Sequence, residues 1–432
     1  MSAPMDRLVI SRLVSRFGFG PKPGEYAALL ALGVDRAREK IMTPPVVDAG
    51  IAQLQPPVVS NLGPFPKPNT PEVVPFATAR KKQLLDITMW WLDRMVLSDN
   101  GLTERMTWFW HGHWATSSGK VEYALPMKLQ NDLQRRNALG DFRVMAREMM
   151  TDAALLYWLD ANQNTNKGPN ENLARELMEL FTLGVDRYSE DDIKNVARGL
   201  TGYQVDRSAG TVTFNAKLHD SSPITFLGNS GSYSAQQIAD ALTSRSDCQK
   251  FITDRIWFRF ISTVNPKPLE LEQPFSNRDI GAFMRALSQH SSLSDPSHTQ
   301  VKSPVEWFVG VCRALRLQPS KLITFAQIPQ YLDKLGQVPF VPPNVGGWPY
   351  DEAWLNLASA QYRITFADYL LQQADLSFLK NLTGAEAVQS VMDLLGIAAF
   401  TQRTRAALRD VASDPKSLMM LAVCSPEYLV NG

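Results

Sequence analysis

Three segments of the chain carry residue types that do chemistry. In FWHGHW, His111 and His113 supply two imidazoles two residues apart. Imidazole is a common metal ligand and a proton carrier. On a regular helix, however, residues i and i+2 point about 200° apart, so the pair chelates only if Gly112 opens the helix. Otherwise one histidine sits hydrogen-bonded in an aromatic core and the other faces a polar gap, and helical geometry favours this second arrangement. In NENLARELMELFTLG, Glu171, Arg175 and Glu179 recur at i, i+4 and i+8, with Glu176 beside them. Carboxylates projecting from one side of a helix are the raw material of helical metal sites, and Arg175 can bind an anion or position a carboxylate. The same spacing also makes ordinary i, i+4 ion pairs on a wet face. The third segment places His219 beside Asp220. An aspartate can orient an imidazole, and either can hold a metal, but Asp is also a common turn residue.

These residues need elements to position them. Leu173, Leu177, Leu180 and Phe181 form an apolar stripe, which predicts one helix over 170–184. Asn170 or Asn172 can cap its start and Gly184 can close its end. A helix over 103–115, capped by Thr103, is aromatic nearly all round and is expected to be buried. Further helices are expected at 6–17, 25–41, 76–98, 122–139, 141–150 and 153–160. The series resumes from about 189 and, with breaks at Pro/Gly-rich loops, continues to 423. Strand-like stretches at 211–214 and 224–227 predict a small β-hairpin insertion within 205–232, with His219 and Asp220 in its loop. A Pro-rich connector spans 43–75. Trp348 and Trp354 can anchor the loop 335–356, although exposed tryptophans there would also stack a sugar or a base. The fold class is therefore mostly α: a single large multi-helix domain over 1–432.

Composition narrows the classes. The chain has 432 residues, 44% hydrophobic and 20% charged, as in globular proteins. Lys plus Arg numbers 44 against 43 for Asp plus Glu, which argues against nucleic acid or an anionic membrane as a bulk electrostatic partner. Cys248, Cys312 and Cys424 lack paired spacing and read as free thiols. No apolar run reaches membrane-span length. Asp6, Arg7, Arg12 and Arg16 interrupt the N-terminal apolar stretch, so no secretory signal is visible. The expectation is a cytoplasmic location unless export uses another route. No nucleophile elbow, HExxH, P-loop or dinucleotide fingerprint occurs.

FWHGHW, NENLARELMELFTLGV, YSEDDIKNVARGLTGY, the His219-Asp220 pair, KSPVEW and PPNVGGWP follow one another in this order. In this set the chain resembles the bacterial family known as domain of unknown function 1800, from about Arg7 to the SPEYLV near the C-terminus. The resemblance implies a largely helical protein and, from gene neighbourhoods in the family, a sulfatase-like partner. Members often carry Asn where this chain has Gly112, and a Lys after the His-Asp pair where this chain reads SSPIT. Many also carry export signals.

Two functions follow as expectations. In the first, the chain is a hydrolase assisted by a divalent metal. His111, His113 and His219 would be metal ligands. Glu171, Arg175, Glu176, Glu179 and Asp220 would be the catalytic groups of one shared polar site. In the second, the chain is a non-catalytic helical scaffold or accessory protein acting with the sulfatase-like partner, and the same residues form a structural network.

Overall fold

In the computed structural model, which describes residues 4–430, the FWHGHW segment lies in the helix Leu102–His113. Every residue of this helix except Thr103 and Gly112 is buried. It lies between two large apolar clusters. Leu102, Met106, Phe109 and Trp110 belong to one, and Trp108 belongs to the other. Its aromatic sequence thus reflects burial on all sides. The helix starts one residue before Thr103. The Asn100 side chain accepts from the Leu102 N–H at 3.1 Å, so the expected threonine cap is not used.

A buried helix can carry polar side chains only where they are paired. Glu104 is 1% exposed. It is held by Arg94 and Arg135, both at 2.8 Å, and by the Trp91 indole N–H at 3.1 Å. These contacts tie the central helix to the long helix Val73–Leu97 and to Ala124–Arg136. Burial pushes the Glu104 carboxyl up, but Arg135 and Arg94 outweigh it and hold the group below its ordinary value.

The remaining architecture is mostly helical, forming a single domain with two small antiparallel sheets. Capping follows sequence chemistry. Ser189, Ser234 and Ser303 each open a helix with a full capping box. The segment expected as one helix over 25–41 is two, Glu25–Leu32 and Val34–Met42, because Gly33 turns at φ 80° between them. The long helix begins at Val73, not 76, since Pro75 is tolerated in a first turn. The connector before it lies along the surface. Asp48 accepts from the Asp99 and Asn100 N–H groups, and Ser60 accepts from Gln83 at 2.8 Å. Cys248 and Cys312 are buried free thiols, while Cys424 is partly exposed.

Two sequence expectations are corrected here. The strands at 211–214 and 224–226 do not pair with each other. β1 (Tyr203–Asp206) pairs with β2 (Thr211–Phe214), and β3 (Ile224–Phe226) pairs with β4 (Asn229–Gly231). Residues 205–232 thus span most of two hairpins. His219 and Asp220 lie in the link between them. The second correction concerns 170–184. An α-helical turn, Asn172–Glu176, passes into a π-helical turn, Leu177–Thr182. The Leu183 N–H reaches back five residues to the Met178 carbonyl at 2.8 Å. Gly184 closes the segment at φ 86°, as expected. Residues 1–3 and 431–432 of the expected 1–432 domain lie outside the described residues.

Replacing Glu104 with Gln removes a buried carboxylate from two partly buried guanidiniums, of which Arg135 keeps Asp132 at 3.2 Å. Unfolding by urea should show a loss of about 3–5 kcal/mol, whereas an exposed pair such as Lys82–Asp86 should cost under about 1 kcal/mol when broken.

Candidate functional site

The two histidines of FWHGHW face opposite sides of an unbroken helix and do not converge. His111 sits among Trp91, Trp108, Phe340 and Trp348. The Phe340 N–H donates to its Nε2 at 3.0 Å. That bond fixes Nε2 as an acceptor, and burial pushes the His111 pKa down to about 3. His113 sits among Phe109, Trp110, Trp114, Phe142 and Phe181. Its Nε2 lies 3.0 Å from the Phe181 carbonyl, so Nε2 carries the proton and donates. The accepting carbonyl belongs to the π-helical turn, where the α-helical ladder is interrupted. Burial, then Arg255, holds His113 well below its ordinary pKa, with partial opposition from the Phe181 bond. Its Nδ1 is buried and has no hydrogen-bond partner among the described residues.

The charged face of the 170–184 segment is directed elsewhere. Arg175 binds Glu171 at 3.2 Å and Glu190 at 2.8 Å. Glu179 accepts from the Tyr188 hydroxyl at 2.8 Å. Glu179 thus takes a partner different from those of the Glu171–Arg175 pair. Glu176 is partly buried. Burial, then Glu179, pushes its pKa up.

His219 and Asp220 are organised by Thr201 and Arg198 of the neighbouring helix Glu190–Gly199 and its end. His219 Nδ1 lies 3.0 Å from the Thr201 carbonyl and therefore carries the proton, which leaves Nε2 as the basic nitrogen. Asp220 binds Arg198 at 2.8 Å and accepts from the Ser222 N–H at 3.0 Å; these contacts lower its pKa to about 2. Both residues line a cavity of about 410 Å³ with Tyr203, Phe214 and Tyr233. The loop before the 172–182 segment touches this region, since Asn166 donates to the Lys217 and His219 carbonyls.

The structure thus brings His113 to the 177–182 turn, and the His219 loop to the turn before it. Among the described residues, no group of three or more His, Cys, Asp and Glu side chains is arranged to hold a metal ion. Nor is any described helix long and apolar enough to cross a membrane.

A fourth cluster was not anticipated from sequence. Arg105, His113, Arg255, Arg259, Glu306 and Trp348 line a cleft of about 50 Å³. Arg105 reaches Glu306 at 2.6 Å. Arg255 and Arg259 come from successive turns of the helix Ser246–Phe260. Trp348 stacks on Trp108 with ring centroids 5.1 Å apart. Its loop turns at Gly347, φ 86°, where a Cβ would lie 2.6 Å from the Gly112 carbonyl.

The family profile for a protein of unknown function, DUF1800, matches residues 12–430. The chain belongs to this family. No curated protein and no solved structure matches it.

In this DUF1800 chain, three of the six sequence motifs meet around the fourth cluster. FWHGHW contributes Phe109, Gly112 and His113, KSPVEW contributes Ser303 and Glu306, and PPNVGGWP contributes Trp348. The Arg255/Arg259 signal was present in the sequence as a like-charged i, i+4 pair, which is unfavourable on an isolated helix. Its meaning depends on Arg105, about 150 residues away in sequence, and no local pattern contains that.

The neutral histidines have a consequence for pH dependence. Unfolded His titrates near 6.5, whereas folded His111 titrates near 3 and folded His113 well below 6.5. From pH 6.5 downward the unfolded chain takes up protons that the fold excludes, so stability is retained above 6.5 and falls on acidification. Each histidine steepens that fall by up to about 1.4 kcal/mol per pH unit. Urea unfolding between pH 7 and 5 should therefore give a shallower slope for His111→Gln and for His113→Gln than for the parent, whatever their stability at pH 7.

Proposed function

We propose that this DUF1800 member is a non-catalytic helical accessory protein that acts with a sulfatase-like partner. The observation carrying this reading is the use made of FWHGHW. One ring nitrogen of His111 receives the Phe340 N–H and one of His113 holds the Phe181 carbonyl. Both rings are buried among aromatic side chains and neutral, the condition of groups that fix a structure. The helix Leu357–Leu371 supports a partner-binding role. Its first two turns leave Leu357 87% and Ile364 53% exposed, and Tyr362 is also uncovered. Exposed apolar side chains gathered on one helix suit a protein interface better than water.

A second reading is hydrolysis at the His219–Asp220 cavity, with a divalent metal assisting. It is favoured by the free basic Nε2 of His219 beside an ionised Asp220. Such a nitrogen can take a proton from water. Glu171, Glu176 and Glu179, with Arg175, would then act only if the 166–172 turn moved them toward the cavity.

The readings separate experimentally. Under the accessory reading, Leu357→Glu with Ile364→Glu should abolish co-purification with the sulfatase-like protein without lowering Tm. Elemental analysis should find no stoichiometric divalent metal. Turnover of sulfate, phosphate or carboxylate esters that His219→Ala removes at unchanged Tm would overturn it in favour of hydrolysis.

A further inference from the structure

The arginine cleft has an electrostatic imbalance that its own residues do not resolve. Three guanidiniums face one carboxylate. Glu306 is fully engaged: Oε1 binds Arg105 at 2.6 Å and Oε2 accepts from the Ser303 N–H at 3.0 Å. Arg255 and Arg259 are therefore left without a carboxylate partner among the described residues. Arg255 lies 5.7 Å from the Phe251 ring centroid. Arg259 lies 4.6 Å over the Tyr350 ring and makes one long contact, 3.5 Å, to the Trp348 carbonyl. Ring faces stabilise a cation modestly and leave most guanidinium N–H donors unused. The two arginines sit one turn apart on one helix face, where like charges repel. His113 lines the same cleft, and its Nδ1 is an acceptor with no partner among the described residues, in a residue 2% exposed.

We propose that this cleft binds a small tetrahedral oxyanion carrying one protonated oxygen, the chemistry of hydrogen phosphate. Arg255 and Arg259 would donate to its charged oxygens, and its hydroxyl would donate to His113 Nδ1. Planar guanidinium forks match such oxygens and supply short charge-assisted bonds. The lone pair on Nδ1 gives selectivity, because an ion without a hydroxyl has nothing to offer it and meets an acceptor at close range. The volume of about 50 Å³ admits a four-oxygen ion and excludes an ordinary organic ligand, for which several hundred cubic ångströms are usual. His113 is shared with the readings above, but there its Nε2 holds the Phe181 carbonyl, and here only its Nδ1 would meet the ion; loss of phosphate binding would leave the exposed face of Leu357–Leu371 and the His219–Asp220 cavity untouched.

Isothermal titration of the full chain with inorganic phosphate, and with sodium sulfate and chloride at matched ionic strength, tests it. Phosphate should bind saturably with one site, sulfate at least about tenfold more weakly, and chloride not at all. Arg255→Gln and Arg259→Gln should each weaken phosphate binding on the order of tenfold or more. Gly112→Leu supplies a second variant, at a position where the first side-chain carbon has room. Gly112 is helical, it lines the cleft, and a Cβ added there meets nothing within 4 Å. Its leucine should fill the cleft and abolish binding at undiminished Tm. Absence of saturable phosphate binding overturns the proposal, as does phosphate binding that survives both Arg255→Gln and Gly112→Leu. Equal affinity for sulfate removes His113 from the site and overturns the assignment of a protonated oxyanion.

Discussion

The helix Leu102–His113 is buried on all sides, and this constrains much of the molecule around it. A helix in that position leaves its charged and imidazole side chains little access to water, so they find partners in other elements. Glu104 recruits Arg94 and Arg135, Arg105 recruits Glu306, His111 receives a backbone N–H from the loop at Phe340, and His113 donates to the turn at Phe181. Each bond joins another segment of the chain to the same rod. The apolar clusters on either side supply most of the driving force. The polar pairs decide which segments lie where, because a mismatched arrangement would leave a buried charge or lone pair uncompensated.

The π-helical turn at Leu177–Thr182 fits within the same constraint. A wider turn changes which carbonyls the backbone itself satisfies, and His113 meets one of them. The turn also changes the direction of the side chains that follow. Glu179 is carried to Tyr188, while Arg175 joins Glu171 to Glu190 on the outer face. Glu171 and Glu179 thereby take different partners, while Glu176 and Glu179 stay close enough to interact. Metal chemistry needs several ligands converging on one point, and this arrangement does not supply them within the 170–184 segment.

The arginine cleft shows the opposite behaviour. Its components are unexceptional one by one: two arginines a turn apart, a third in an aromatic helix, a histidine, a capping glutamate. They become a site because the central helix, the helix Ser246–Phe260 and the loop carrying Trp348 meet at one edge of the core. The glutamate already has two tasks there, closing the capping box at Ser303 and binding Arg105. That double use leaves the other two guanidiniums available.

By itself the sequence determined the elements and most of their ends. Apolar periodicity marked the helices, and Gly184 marked where one segment stops. These signals are local: a cap or a stripe is satisfied by residues within a turn or two. The aromatic composition around His111 and His113 likewise announced burial, and their i, i+2 spacing already opposed a chelate. What only the tertiary structure decided was pairing. β2 and β3 looked like partners yet each joins a nearer strand, because short connections close at lower entropic cost than the His219 link. The helix over 170–184 looked regular, yet it contains a π-helical turn whose Phe181 carbonyl is met by a histidine nearly 70 residues earlier. The charge balance of the cleft, set by Arg105, Arg255, Arg259 and Glu306, exists only after folding, since Coulomb energy depends on distance through space and not on separation along the chain.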